Sequence, residues 1–297
     1  MTDARILDRS YRSYDGERSG LIGAMRTVTA HSIRHALGIK RRHGAKVLPV
    51  LTILLAYVPA IVFVGIVALI KNESVTNDVL PTYAGYYGFI SAVIFVFSAF
   101  VTPELLCPDR RSGLLGMYLA SPLDRNTYLL SKAAAVTAIM SIITVGPLLL
   151  ILLAYTILGQ GPDSPLHWLI TLGRIFAGGL CIAALHTSLS LAIASTTTRK
   201  AAASAVIILV IVGTGIITGL LTFEVDQSVY YQLFNFLRLP FETVLRVFGE
   251  RTRGGDDGQG ERLNDIPAAL TIGANMAWTF FFAGIVWWRY RRIQVTR

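Results

Sequence analysis

Residues 103–132 read PELLCPDRRSGLLGMYLASPLDRNTYLLSK, and apolar tracts long enough to cross a bilayer lie on both sides. The stretch sets Glu104, Asp109 and Asp124 against Arg110, Arg111, Arg125 and Lys132, with Pro103, Pro108 and Pro122 spaced through it. Charges are expensive in hydrocarbon, so this stretch belongs outside the lipid core and its neighbours inside. That division decides the fold class.

The 297 residues are 53% hydrophobic and only 15% charged, which suits lipid better than a soluble core. Before the quoted stretch, Lys46 to Ile70 and Tyr83 to Thr102 each supply about the 20 apolar residues that a spanning helix needs. Tyr128 to Leu158, Leu166 to Ser195, Ala201 to Phe223 and Ile266 to Trp288 follow. The expectation is an all-α polytopic membrane protein with six transmembrane helices. The first 47 residues are polar and basic, and the first apolar run is too long for a signal-peptide core, so no cleavable signal is expected. Cys107 and Cys181, one outside the spans and one within, give no disulfide framework.

Lys and Arg of short loops concentrate on the cytoplasmic side. The segment before the first span is rich in them, including Lys40, Arg41, Arg42 and Lys46, whereas the next loop has Lys71 against Glu73 and Asp78. The quoted stretch is basic, the loop GQGPDSP at 159–165 has no basic residue, the following loop has Arg199 and Lys200, and the tail has Arg289, Arg291, Arg292 and Arg297. The alternation places both termini in the cytoplasm of a multi-pass cell-membrane protein. Residues 224–265 fit less well, since an outside segment there carries five arginines among eight carboxylates. The net charge of +9 reads as cytosolic anchoring; a nucleic-acid partner is not expected, because no aromatic-rich basic domain accompanies it.

Within the cytosolic segment 1–47, GLIGAMRTVTAHSIRHAL at 20–37 has apolar residues at helical spacing with Arg26, Arg34 and His35 between them. Such a helix suits either the membrane interface, with lipid as partner, or a protein surface. The segment 226–250 reads as two short amphipathic outer helices broken at Pro240, suited to a re-entrant hairpin. RGGDDGQGE at 253–261 reads as a flexible loop. Domain bounds follow as a six-span region 48–288, containing a segment 103–127 between spans two and three, and a basic tail 289–297.

Catalytic and nucleotide-binding signatures are missing: no Gly-x-x-x-x-Gly-Lys-Ser/Thr, His-Glu-x-x-His, Gly-x-Ser-x-Gly or Cys-x-x-Cys run occurs. No catalytic residue, metal site or cofactor of its own is expected for the chain. His31 and His35 stand four apart without an evident third ligand, so a solvated or lipid-facing pair is the better reading. Arg174, about two turns into the fourth span, either faces a transport pathway or snorkels to the interface. His186 deeper in that span reads as an interhelical hydrogen-bonding residue. Gly215 and Gly219 form a Gly-x-x-x-Gly pair in the fifth span, suited either to a dimer contact or to packing within the chain.

In the quoted stretch, Pro103 and Pro108 are expected to interrupt the second span, with Glu104 and Asp109 near the start of a helical piece. RRSGLLGMYLASPLDR then gives a short helix with Leu114, Leu115, Tyr118 and Leu119 on one side, ended by Ser121 and Pro122. This stretch resembles the connection between spans two and three in permease subunits of type-2 ABC exporters. The matching positions are Glu104, Arg110, Arg111, Gly113 to Leu115, Ser121 to Arg125, and Lys132. CPDRRSG departs from the commoner wording of that family. The resemblance implies a cytosolic coupling helix that docks Leu114, Leu115 and Tyr118 onto a separate ABC ATPase subunit, which holds ATP and Mg. It also implies a pathway formed with a second permease copy, as a homodimer or related heterodimer. The alternative from another class is an ATPase-independent secondary carrier or a membrane anchor for a cytosolic partner.

Overall fold

The protein is described by a computed structural model over residues 20–39, 43–70, 80–119, 122–252 and 259–292. The basic run at 40–42, the loop at 71–79, Ser121 and most of the glycine-rich loop, at 253–258, lie outside the described residues, as do 1–19 and 293–297. Helices α1 (Gly20–Ala36), α2 (His43–Leu69), α3 (Tyr86–Phe100), α4 (Pro103–Arg111) and α5 (Leu114–Leu119) come first. They are followed by α6 (Arg125–Thr144), α7 (Gly146–Ile157), α8 (Pro165–Ala194) and α9 (Lys200–Gly219). A π turn (Leu220–Glu224) and a 3-10 helix (Val229–Phe234) lead to α10 (Leu239–Phe248), α11 (Gln259–Leu263) and α12 (Ala268–Arg292). No strand occurs among the described residues.

Among the described residues, six segments are long and apolar enough to cross a membrane: Lys46–Leu69, Tyr86–Arg111, Arg125–Ile157, Pro165–Ala194, Lys200–Glu224 and Ala268–Arg292. The fold is thus an all-α multi-pass membrane protein. The second span runs further than the sequence reading gave it. As expected, the helix is interrupted before Pro103, where α3 ends at Phe100 and α4 begins. Val101 and Thr102 nevertheless keep helical dihedrals, so the span continues in α4, with Pro103 in its first turn and Pro108 accommodated inside it. The third span is broken at Val145, between α6 and α7, where Pro147 falls in the first turn of α7. Its 33 residues extend about 50 Å, some 20 Å more than the hydrocarbon thickness. Arg125 and Lys132 place the excess at the start of α6.

α8 is the central element, packing on α12, α6, α10, α9 and α4, while α2 packs on α3 and α7. Lipid provides no hydrophobic drive between spans, so close approach and polar contacts hold them. A Cβ on Gly179 would come within 2.5 Å of Val145 Cγ2, so glycine is what lets α8 meet the α6–α7 junction. Beside it, Thr144 Oγ1 donates to the Gly179 carbonyl at 3.0 Å. Ser98 and Ser190 share a buried hydrogen bond of 2.7 Å between α3 and α8.

Charge divides the bundle. Arg110, Arg125, Arg199, Lys200, Arg289, Arg291 and Arg292 gather at one end, here termed the basic end. Arg291 and Arg292 lie 4.2 and 4.1 Å from the ring centroids of Trp287 and Trp288, an arrangement suited to a membrane interface. α1 packs on α6 and α4 with Val28, Ser32 and Ala36 inward and Ile22 exposed.

At the far end, the expected break at Pro240 is displaced: Pro240 lies in the first turn of α10, and the interruption is at Asn235–Arg238. Arginines of this segment engage their own surroundings. Arg238 pairs with Glu242 at 3.2 Å, Arg262 with Asp226 at 2.8 Å, and Arg246 donates to the Leu263 carbonyl at 2.9 Å. Cations satisfied in this way carry little orientation information, so Arg238, Arg246 and Arg262 weigh little in the charge alternation.

Candidate functional site

The connection between the second and third spans forms a compact knob at the basic end. Its shape follows from two local devices. Gly113, at φ 70°, takes the left-handed conformation that ends α4 and redirects the chain into α5. Asp124 then opens α6 as an N-cap: it accepts from the Thr127 N–H at 2.7 Å, and Thr127 Oγ1 accepts in return from the Asp124 N–H at 3.0 Å. The Thr127 hydroxyl, which donates to Asp124 Oδ1 at 2.6 Å, and then the Thr127 N–H hold the Asp124 carboxyl below its ordinary range. Leu123 is buried between the two devices and anchors the turn.

Inside the knob is a buried ion pair. Lys132 Nζ lies 2.7 Å from Asp109 Oδ2, with the two side chains only 3% and 11% exposed. Tyr128 donates its hydroxyl to the same carboxylate oxygen at 2.8 Å. The ammonium also stands 5.6 Å from the ring centroids of both Tyr118 and Tyr128. Burial, and then the Asp109 charge, raise the Tyr118 phenol above its ordinary value, so it stays neutral beside Lys132. Asp109 is therefore not an amino-terminal dipole residue, as the sequence suggested; it sits in the last turn of α4, where the pairing with Lys132 offsets the unfavourable dipole.

Further ties run to the other spans. Arg110 donates to the carbonyls of Ser195 and of Thr197, the latter at 3.3 Å, and Arg289 Nε donates to the same Ser195 carbonyl at 3.2 Å. Two guanidinium groups, from α4 and α12, thus cap the carboxyl end of α8. Glu104 pairs with Lys200, the first residue of α9, at 2.9 Å. Arg125 donates to the Arg291 carbonyl at 2.7 Å, joining the start of α6 to the end of α12. The knob is thereby fastened to spans three to six.

The exposed face differs from the one expected. Leu115 is 7% exposed and belongs to the main core, and Tyr118 is half-buried against Tyr128, with ring centroids 5.3 Å apart. Leu114 is also half-buried. The residues facing out are Arg111, Ser112, Gly113, Met117 and Pro122, with Met117 68% exposed. Six residues are too few for apolar spacing to tell one face of α5 from the other. Tyr128 and Arg289 were not among the expected site residues, and Asp109 and Lys132 were named without being paired; the available signal was a lysine in the second turn of a span, which demands an acid nearby.

Other candidates fall elsewhere. Arg174 is half-buried in α8 and lines a cavity of about 410 Å³ at the far end. Gly215 meets the chain's own Leu237, 3.4 Å from where a Cβ would stand, so it serves internal packing; Gly219 faces open space. His31 and His35 have ring centroids 6.3 Å apart, and no group of three metal ligands occurs among the described residues. His186 is buried, with Nδ1 3.1 Å from the Ile182 carbonyl of its own helix rather than a neighbouring one.

Fold and site together define a class, a six-span helical membrane protein whose spans are fastened at one end to a charged helical knob. Residues 47–288 match the family described as ABC-2 family transporter protein, and the chain belongs to that family. It is a type-2 ABC permease subunit, the transmembrane component rather than the nucleotide-binding one. No curated protein matches the chain.

Proposed function

We propose that this permease subunit serves an ATP-driven exporter in the cell membrane, with both termini cytoplasmic and the knob of α4 and α5 docked on a separate ABC ATPase subunit. ATP and Mg belong to that partner, and their energy arrives here as movement. Two copies, identical or related, enclose the substrate path, with the exposed α9 face around Leu209, Ile216 and Gly219 offered to the second copy. Arg174 belongs to the pathway. α1 lies in the cytoplasmic interface with Leu21 and Ile22 toward lipid. The domain bounds 1–47, 48–288 and 289–297 belong to the same reading.

The observation that carries it is the combination of an exposed tip, Arg111 to Gly113 with Met117, with a buried ion pair and carbonyl caps that fasten its base. A solvated loop needs no such fastening, whereas a lever does. Docking through the tip is tested by purifying the tagged chain from its native membranes and identifying associated ATPase by mass spectrometry. The double substitution Arg111→Glu and Met117→Asp is expected to release the ATPase while the chain stays monodisperse. Undiminished association would reject the assignment of the tip.

A further inference from the structure

Among the described residues, the cavity at the far end is lined by one guanidinium and one carboxylate that do not pair, with His167 beside them. Arg174 enters from α8, about two and a half turns from the start of that helix, and Glu250 enters just after α10. Among the described residues, Arg174 has no hydrogen bond or ion pair. Glu250 uses Oε2 to accept from the Thr82 hydroxyl at 2.6 Å, which holds that carboxylate in place. Tyr83 and Phe248 form an aromatic wall, stacked with centroids 6.4 Å apart and planes inclined by 17°, and Tyr155 joins them. Burial pushes the Tyr83 phenol up to about 12, so that wall is neutral.

An unpartnered guanidinium in a half-buried cavity is expensive unless an anion completes it. A carboxylate beside aromatic faces is the usual surrounding of an ammonium group. With His167, which also lines the cavity, counted as neutral, the formal charges of the described lining residues sum to zero, which disfavours a purely anionic or purely cationic occupant. We infer that this cavity binds a zwitterionic group, its phosphate or carboxylate on Arg174 and its ammonium between Glu250 and the ring faces of Tyr83, Tyr155 and Phe248. The volume of about 410 Å³ accommodates a phosphoethanolamine-sized group with room for water. Loops 80–83 and 160–162 form part of its rim, so it lies near the end of the bundle, at headgroup level. The occupant is either a lipid headgroup or a soluble zwitterion.

Native mass spectrometry of the full chain, released from nonionic-detergent micelles, separates these cases with dioleoyl phosphatidylethanolamine and dioleoyl phosphatidylglycerol as probes. The zwitterionic lipid is expected to be retained about tenfold better than the anionic one, as one charge-assisted contact provides. Arg174→Gln should weaken both, Arg174→Lys should restore part of the loss, and Glu250→Gln should make the two lipids bind alike. Free phosphoethanolamine that competes identifies a soluble zwitterion as sufficient; failure to compete assigns the site to lipid. Equal retention by the native chain, or retention unchanged in Arg174→Gln, overturns the proposal. The readout needs no ATPase, so it stands or falls separately from the coupling assignment.

Discussion

Replacing Lys132 by Met removes one half of the buried pair and leaves the Asp109 carboxylate with the Tyr128 hydroxyl as its donor. The pair is 2.7 Å long and its side chains are 3% and 11% exposed, so water does not take over the lost contact. Breaking a buried pair of this kind costs about 3–5 kcal/mol, because an uncompensated charge stays behind. Replacing both members by apolar groups, Asp109→Leu with Lys132→Met, removes the desolvation penalty along with the attraction and is expected to be neutral or stabilising, by up to about 4 kcal/mol. The assay is SDS-titration unfolding of the purified chain in mild detergent, followed by tryptophan fluorescence, with the four proteins of the double-mutant cycle in parallel. The single variant should unfold at clearly lower SDS fraction and the double variant near the native midpoint or above it. A loss below about 1 kcal/mol for Lys132→Met would refute the reasoning, since that is the value of a solvated surface pair. If coupling also depends on the rigid base, the double variant keeps its fold yet loses ATPase-driven transport.

The inward turn of α5 predicts opposite outcomes for two neighbouring residues: Leu115→Ala should cost about 2–5 kcal/mol in the same titration, while Met117→Ala, on the exposed face, should stay within about 0.5 kcal/mol. The reverse ranking would mean that α5 is rotated. The Asp124 cap predicts a pH effect with a definite sign. Its carboxyl is depressed by the Thr127 hydroxyl and backbone N–H, so the cap's contribution is complete above the ordinary value of 3.8 and is lost as pH falls through the lower folded value. Exchange of the Thr127 amide, corrected for intrinsic rates, should lose protection only in that acid window; protection lost nearer pH 6 would exclude the cap as its source.

The six spans were legible because hydrocarbon imposes a length and a polarity that composition must meet. Their ends were less so. Pro103 does mark a break, between α3 and α4, but in the first turn of α4 it sacrifices no hydrogen bond, so a new helix carries the span on to Arg111. Leu115 and Met117 lie on a helix too short to display a period, and which of them is buried depends on Tyr128 and Lys132 beyond the turn. Arg238, Arg246 and Arg262 counted against the charge alternation because Glu242, Asp226 and the Leu263 carbonyl, which engage them, meet them only after folding. Arg174 announced itself through its cost in a span, but the carboxylate across its cavity comes from Glu250, 76 residues away in sequence.

The polar ties at the basic end have a common consequence. An apolar junction between spans would tolerate sliding, since one leucine contact replaces another at little cost, whereas a lysine buried against one aspartate has a single register. Asp109 sets α4 against α6, Arg110 sets it against the end of α8, and Glu104 sets it against the start of α9. Arg289 and Arg125 bring α12 into the same lattice of contacts. A displacement of the tip at Met117 must then either break several charge-assisted bonds together or carry those helices with it. The buried and half-buried bonds among them are worth about 1.5–3 kcal/mol each and the exposed Glu104–Lys200 pair less, about 1 kcal/mol at most, so carrying the helices is the cheaper course whenever their far ends are free to move. In the third span the helix is interrupted at Val145, beyond which α7 continues as a separate helix, so a displacement carried by α6 has a joint at which α7 need not follow rigidly.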